Sequence, residues 1–272
     1  MQRLFGERVP QIEGVASSQS PPTSAEILPW IRKNEIGEDS VIETPFGRRQ
    51  AIYCDYTASA RAIRPIEDYI VENVLPLYGN THSSVTVTSE QTTLFVHEAR
   101  QEIRSMTGAG DGDSVIFTGA GTTAAVELLI HLMQPENLFD IYNHVPDDLI
   151  RILEEAQKAH PHCQILTAFT ACSNITGICL DVQEITAIVK RHAYIVYKAI
   201  AVWDYASAAP YVDINVNGTQ PVDAAFFSGH KFIGGVSTPG VLVVKKSLIR
   251  TTNPKRIGGG TVFFVSFQQK TA

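Results

Sequence analysis

A lysine that follows a short apolar run carries the most distinctive chemistry in this sequence. Lys231 comes soon after residues 224–227, next to His230 and ahead of glycines at positions 234 and 235. A lysine at the end of a buried strand is seldom without a partner or a function. Partial burial favours loss of its proton and leaves an amine that attacks aldehydes to give a Schiff base. A solvated loop lysine is the plain alternative.

A carboxylate follows the apolar run that comes earlier in the chain. Asp204 succeeds residues 195–203, so it is expected at the carboxyl end of a strand. A carboxylate at such a place can hold the protonated ring nitrogen of a pyridine cofactor. An acidic residue in a surface turn is the alternative interpretation.

A glycine-bearing turn at residues 118–124 lies between a β-rich run and an apolar helical segment. Gly119 and Gly121 allow the backbone to approach a phosphate closely, and Thr122 adds a hydroxyl donor. The free N–H groups in the first turn of the following helix would donate to the same anion. A strand–helix turn without a ligand remains open as an interpretation.

The same turn also has the spacing of a dinucleotide-binding fingerprint. Gly119, Gly121 and Ala124 match G-x-G-x-x-A, which is a weak signal by itself. Such a site also needs an acidic residue about 20 positions further on, at the end of a second strand. Asp140 is near that distance, but residues 134–139 are not strand-like.

Three further turns carry polar side chains. Residues 173–177 follow a predicted strand, and Asn174 there can donate a hydrogen bond to a phenolic oxygen, although Asn is also common in ordinary turns. The segments at 55–59 and 78–82, the second ending on His82, could have either a structural or a catalytic role.

Taken together, these turns supply what pyridoxal 5′-phosphate requires. They offer a phosphate turn, a donor to the ring oxygen, a carboxylate for the ring nitrogen and an amine for the aldehyde. Each signal is weak alone, and their order after successive predicted strands favours this cofactor. No metal site is predicted.

The elements that must position these turns alternate between helix and strand from residue 51 onward. Predicted helices cover residues 25–33, 63–77, 92–106, 122–133, 147–159 and 182–192. Predicted strands cover residues 114–118, 164–170, 195–203, 224–227 and 240–244. This alternation predicts an α/β fold with a doubly wound, mostly parallel sheet. Ligands of such sheets bind beyond the carboxyl ends of the strands.

Composition limits the classes of function. The chain has 272 residues, of which 44% are hydrophobic and 18% charged, so it can bury a sizeable core. No apolar run reaches the roughly 18 residues that span a membrane. A net charge of −6 without a basic block argues against a nucleic-acid partner. Four cysteines without CxxC spacing and no secretory signal favour a cytoplasmic location.

The ordered motifs resemble the class V aminotransferase and cysteine desulfurase family, which has the fold type I architecture of pyridoxal-phosphate enzymes. The resemblance covers about residues 50–265. It rests on residues 55–59 (DYTAS), 78–82 (YGNTH), 118–124 (TGAGTTA), 173–177 (SNITG), 204–206 (DYA) and 228–231 (SGHK).

The resemblance implies a role for each candidate residue. Lys231 would form the Schiff base and serve as a general base, Asp204 would pair with the ring nitrogen, and Asn174 would contact the ring oxygen. Ser207 stands where desulfurases often have a glutamine that makes another ring-oxygen contact. The residues implied to hold the phosphate are Gly121, Thr122, Ser228 and His230.

The function implied by the resemblance is a pyridoxal-phosphate-dependent transferase or lyase that acts on a small amino acid as a homodimer. The alternative is a non-catalytic protein that keeps the cofactor-domain fold. A third hypothesis is a nicotinamide-dependent oxidoreductase that uses the 119–124 turn. It ranks last because it leaves Lys231, Asp204 and Asn174 without a role.

The sequence departs from the family pattern in two places, which suggests a shortened chain. A strand and a helix are expected to be missing near residues 134–146, where His144 reads as a loop residue rather than one that stacks on the ring. The chain also stops soon after residues 258–265, so no substrate-carboxylate arginine and no sulfur-accepting cysteine is assigned. The expected domains are a partly disordered arm at 1–50, a cofactor-binding domain at 51–250 and the start of a small domain at 251–272.

Overall fold

The computed structural model describes residues 24–81, 85–134, 138–142, 146–192, 199–251 and 253–255. Within these residues the helices α1 to α6 span Ser24–Asn34, Arg64–Tyr69, Val87–Met106, Gly121–Met133, Pro146–Ala159 and Val182–His192. The strands β1 to β8 span Val41–Thr44, Gly47–Gln50, Asp113–Ala120, Leu138–Tyr142, Gln164–Thr170, Ile200–Asp204, Ala224–Ser228 and Pro239–Lys245. The expectations for His82, His144 and residues 256–272 lie outside the described part of the chain.

Six of the strands form one mixed sheet in the order β3-β8-β7-β6-β5-β4. Strands β4 to β7 pair in parallel, whereas β8 runs antiparallel to both of its neighbours, β7 and β3. Strand β3 therefore runs in the same direction as β4 to β7, and the carboxyl ends of these strands meet at one edge. The predicted α/β class with a mostly parallel sheet is confirmed.

Alternation along the buried strands builds a core on each face of the sheet. In β6, Ile200 and Val202 pack in the cluster that includes α4, whereas Ala201 and Trp203 pack in the cluster that includes α5 and α6. Helices therefore cover both faces, as a doubly wound sheet requires. Because Asp204 follows in this alternation, it lies on the α4 face.

The sequence prediction is wrong at one strand. Residues 134–139 do not have the pattern of a strand, yet β4 begins at Leu138 and pairs in parallel with β5. The strand-forming residues come only after Pro135 and its polar neighbours, and Asp140 interrupts them. A short apolar segment with such a start has little periodicity from which to predict a strand.

An exposed hairpin precedes the large sheet and is absent from the sequence prediction. Strands β1 and β2 pair antiparallel around a two-residue turn, and Gly47 after the turn has φ +86°. Nearly all residues of both strands are exposed, so the sequence there lacks the alternation that indicates a half-buried strand.

The predicted helices are present, with changes at their ends. Helix α2 continues as a π-helical turn over Ile70–Val74 and a 3-10 turn over Leu75–Leu77. Helix α3 starts earlier than predicted because the Thr86 side chain caps it by accepting a hydrogen bond from Ser89 N. Among the described helices, none is long and apolar enough to cross a membrane.

Candidate active site

The first turn of α4 forms a cradle with the end of β7. Gly121 is buried and has φ +60°, a backbone conformation that favours glycine. A Cβ placed there would lie 3.0 Å from Ser228 Oγ and 3.2 Å from His230 Cε1. Thr122 N donates to Ser228 Oγ at 3.1 Å. The residues expected to hold the phosphate therefore meet at one place.

This cradle depends on a second close approach of backbone. Gly240 starts the ladder of β8 so near to the Gly121 carbonyl that a Cβ at position 240 would overlap it. Ala120 offers no capping side chain to α4, and the hydroxyl of Ser228, which is 2% exposed, occupies that role instead. Helix N-termini attract anions because their first N–H groups are unpaired within the helix.

Asp204 ends β6 on the same face of the sheet. Its Oδ1 accepts a hydrogen bond from Ala206 N at 2.7 Å. Burial raises the pKa of the Asp204 carboxyl, and this effect outweighs the lowering by the Ala206 hydrogen bond and by the Lys231 charge. The carboxylate is thus incompletely stabilised as an anion, and a positive group beside it would relieve that cost.

Lys231 lies in a 3-10 turn, Gly229–Lys231, directly after β7. The lysine is half-buried, and its charge acts on Asp204. A Cβ at Gly235 would overlap the Gly229 carbonyl oxygen, so the chain can fold back here only with glycine at position 235. The glycine at position 235 is therefore required by the close approach of the two backbone segments on either side of the lysine.

The segment at 55–59 packs against this lysine turn. Ala60 N donates to the His230 carbonyl oxygen at 3.0 Å, and Ser59 Oγ donates to the same oxygen at 3.3 Å. Asp55 shapes the segment, since its Oδ1 accepts from Ala58 N at 3.2 Å. This motif, which is ambiguous in the sequence, has a positioning role in the structure.

A polar cluster that no sequence motif predicts lies behind that segment. The Tyr56 hydroxyl donates to Glu35 Oε2 at 2.5 Å, and Arg61 Nε forms an ion pair with Glu35 Oε1 at 3.2 Å. The carbonyl oxygen of Arg61 accepts from Gly234 N at 2.8 Å in the lysine turn. Glu35 is 21 residues before Tyr56 in the sequence, and no spacing signal connects it with Tyr56 and Arg61.

Asn174 lies in the turn after β5, next to β6 in the sheet. Its side chain is exposed. The turn is held by Ser173, whose Oγ accepts from Ile175 N and Thr176 N at 3.2 Å each. The described structure therefore places Asn174 at the correct sheet edge without burying it against the other candidate residues.

Ser207 connects two of these turns. It is buried, and its Oγ donates to the carbonyl oxygen of Cys172 at 2.6 Å. The hydroxyl proton therefore fixes the turn after β6 to the turn after β5. This contact uses the single hydroxyl donor of Ser207, which stands where the family resemblance implies a ring-oxygen contact.

A cleft of about 330 Å³ opens on the other face of the sheet, away from this cluster. Tyr205 lines it, and burial raises the pKa of that hydroxyl to about 12. The cleft is bordered by the start of α6 and by residues 212–219. It does not coincide with the residues gathered around Lys231.

Comparison of the sequence with protein families identifies the family of this chain. Residues 52–145 and 141–272 match the profile of the family described as Aminotransferase class-V. The chain belongs to this family. The two matched segments overlap at residues 141–145.

Curated relatives of the aminotransferase class-V chain include probable cysteine desulfurases. The one from Aeropyrum pernix is 27% identical over 255 residues, which covers 83% of this chain and 60% of the relative. The one from Halalkalibacterium halodurans is 26% identical and covers 81% of this chain and 59% of the relative. The chain thus spans about three-fifths of the length of these relatives.

Solved structures with the same fold agree. The apo cysteine desulfurase of Thermococcus onnurineus NA1 has a TM-score of 0.66 at 24% identity, covering 91% of this chain and 63% of that one. A NifS-like protein from Rickettsia africae has a TM-score of 0.59 at 19% identity, covering 77% of this chain and 61% of that one. The fold is therefore that of fold type I pyridoxal-phosphate enzymes.

The residues of the site fit the cofactor of the family. A Cβ at Gly121 would crowd Ser228 and His230 in the cradle, the α4 N-terminus offers donors, and the Asp204 carboxyl is short of positive partners. Family membership supports a pyridoxal-phosphate-dependent enzyme and gives no support to a nicotinamide-dependent oxidoreductase.

Proposed function

We propose that this protein binds pyridoxal 5′-phosphate and acts on a small amino acid, with the Lys231 amine joined covalently to the cofactor aldehyde. The observation that carries the proposal is the half-buried Asp204 carboxyl, whose pKa is raised by burial and lowered by the nearby charge of Lys231, with burial the larger effect. A carboxylate in that state suits a protonated ring nitrogen.

Different residues of the chain would bind the phosphate, bind the ring nitrogen and transfer the proton. Gly121, Thr122 N–H, Ser228 and His230 would hold the phosphate at the N-terminus of α4. Asp204 would keep the ring nitrogen protonated. The bound cofactor supplies an electron sink for the amino acid. The Lys231 amine would take the proton from the α-carbon of the substrate.

The amino-acid substrate is proposed from the relatives described as probable cysteine desulfurases. The branch of the reaction, whether transamination, desulfuration or another bond cleavage, is left open by the described residues. A non-catalytic protein that keeps the cofactor-binding fold is the second candidate. Asn174 favours it, because the side chain of this predicted ring contact is exposed.

We also propose a homodimer located in the cytoplasm, with residues 51–250 as its cofactor-binding domain. Exposed apolar side chains near the N-terminal half of the described structure support association: Phe46 is 82% exposed, Ile52 86% and Val85 90%. Association with a second copy of the chain would remove such apolar side chains from water. Size-exclusion chromatography with light scattering tests this, and a monomer at micromolar concentration would contradict the homodimer.

A titration with pyridoxal phosphate tests the proposed function. The absorbance of the purified full chain is followed in three forms: wild type, Lys231→Ala and the control Lys246→Ala, which removes an exposed lysine. A new visible band is expected in the wild type and the control, with binding at least roughly tenfold weaker in Lys231→Ala, a loss of about 1.4 kcal/mol or more. An equally strong band in Lys231→Ala would contradict the proposal.

Addition of amino acids then separates the two candidates. An enzyme shifts its absorbance spectrum when the correct amino acid is present, and releases a product that can be measured. A non-catalytic protein holds the cofactor without a shift across the whole panel.

A further inference from the structure

Two cysteines face each other across the base of the Asn174 turn. Cys172 and Cys179 form an isolated antiparallel bridge. The pair is flanked by backbone hydrogen bonds and makes none within itself, and at such positions the Cα atoms lie about 4.5 Å apart with side chains close together. The flanking bonds, each 2.9 Å long, run from Ser173 N to Ile178 O and from Leu180 N to Ala171 O.

The sulfur atoms of this pair occupy one small volume. Cys172 Sγ lies 3.2 Å from the carbonyl oxygen of Gly177, and Cys179 Sγ lies 3.7 Å from the same oxygen. Two effects raise the pKa of the Cys172 thiol: the larger is a hydrogen bond with the Cys179 thiol, and the smaller is burial. Both cysteines are in the thiol form in the structure.

The backbone already has the separation that a disulfide requires. Disulfides join Cα atoms about 4.4 to 6.8 Å apart, a range that includes the separation of a pair without mutual hydrogen bonds in an antiparallel bridge. Side chains opposite each other in such a bridge also lie on the same side of the ribbon. Bond formation therefore needs rotation of side chains and little movement of the backbone.

We propose that Cys172 and Cys179 are a modification site that forms a reversible intramolecular disulfide and closes the loop carrying Asn174. The oxidant is a small-molecule disulfide such as oxidised glutathione. Because Cys179 is exposed and Cys172 half-buried, the oxidant meets Cys179 first.

The exchange balances in two steps. The Cys179 thiolate attacks the external disulfide, forms a mixed disulfide and releases one glutathione thiol. Cys172 then attacks the Cys179 sulfur and displaces the second glutathione thiol. The two cysteines lose two electrons and two protons, which leave on the two glutathione molecules.

The consequence is a covalent link at the base of a turn that is otherwise held by backbone hydrogen bonds, by the Ser173 hydroxyl and by Ser207. The disulfide itself does not depend on the proposed function. Its influence on cofactor binding, through the position of Asn174, rests on that proposal. The two claims are therefore tested by different readouts.

The test follows the redox state of each cysteine in the purified full chain. The protein is equilibrated in glutathione buffers of increasing oxidised fraction, and its free thiols are blocked with one alkylating reagent. The disulfides are then reduced, and the thiols that they release are labelled with a second reagent. Mass spectrometry locates both labels. Cys172 and Cys179 are expected to lose their thiols together, without a retained glutathione adduct, and to recover them with dithiothreitol.

Matched variants make the outcome specific. In Cys179→Ser, Cys172 is expected to stay reduced at oxidised fractions that convert the wild-type pair, whereas Cys163→Ser leaves the pair unchanged. Oxidation of Cys172 to the same extent in Cys179→Ser, or a stable glutathione adduct on Cys179 in the wild type, would overturn the proposal. Circular dichroism confirms that each variant is folded before it is scored.

A separate titration with pyridoxal phosphate distinguishes the two proposals. If the disulfide forms and the cofactor does not bind, the proposed function fails and the modification site stands. If the cofactor binds and the cysteines oxidise independently of each other, the modification site fails and the proposed function stands.

Discussion

The turn after β7 and the turn after β5 lie at the same edge of the sheet but are held in different ways. In the Lys231 turn, the His230 carbonyl oxygen accepts hydrogen bonds from Ser59 Oγ and Ala60 N. Just after this turn, Gly234 N donates a hydrogen bond to the Arg61 carbonyl oxygen. The Asn174 turn is held mainly by its own Ser173, and Ile175 within it is 88% exposed.

This difference separates two parts of the candidate site. Long-range contacts fix the lysine and the phosphate cradle within the folded chain, so their positions are preorganised. The Asn174 turn has mainly local contacts, and its base is joined to the end of β6 by Ala171 N and by Ser207. A disulfide at that base would constrain the turn further.

The largest difference between the turns is expected from glycine substitutions. In Gly235→Ala the new Cβ overlaps the Gly229 carbonyl oxygen, and the free energy of unfolding should fall by about 3 kcal/mol, as in overpacked cores. In Gly177→Ala nothing lies within 4 Å of the Cβ, and the left-handed φ of +70° alone should cost about 1 kcal/mol. Denaturant unfolding measures both, and equal losses would remove the distinction between the turns.

The second prediction concerns pH. Because burial raises the pKa of Asp204, the folded chain holds this proton more tightly than the unfolded chain. This contribution to stability is present at low pH and is lost as pH rises from the usual value of 3.8 through the raised one. The Asp204→Asn variant should therefore gain stability relative to the wild type across that window and then level off.

Asp113 is the matched control for that pH series. Hydrogen bonds from Lys245 and Asn217 outweigh burial there and hold its pKa below the usual value. Asp113→Asn should therefore lose stability relative to the wild type at neutral pH, and the loss should shrink as pH falls through the depressed pKa. Denaturant unfolding at several pH values checks both variants. Equal pH dependence of the two would contradict the assigned environments.

The smallest expected change in the free energy of unfolding is that of Ser207→Ala. Ser207→Ala removes the 2.6 Å hydrogen bond to Cys172 O, which joins the Asn174 turn to the end of β6. Loss of one such bond should cost about 1 kcal/mol. Hydrogen exchange should accelerate at residues 173–177 and not in the Lys231 turn. Faster exchange in both turns would show that Ser207 supports the whole edge.

Much of the fold follows from the sequence because buried strands leave apolar runs. Residues 164–170 and 224–227 read as strands, and the functional turns come directly after them, so Asn174 and Lys231 could be placed at one edge. Strand β4 was not predicted because its apolar run is short, is interrupted by Asp140 and begins just after Pro135 and two polar residues.

Contacts between distant residues could not be predicted in the same way. Tyr56, Glu35 and Arg61 form a cluster only after the segments before α2 fold together. Likewise, the facing of Cys172 and Cys179 depends on the return of the chain after the turn, which their spacing in sequence does not reveal.

Reduction of the cofactor complex with borohydride, followed by peptide mapping, locates the lysine that binds the cofactor. We expect a pyridoxyl group on the peptide containing Lys231 in the wild type and in Lys246→Ala, and its absence in Lys231→Ala. A label spread over surface lysines, or carried undiminished by another lysine when Lys231 is replaced, would contradict the assignment of Lys231 as the residue that binds the cofactor.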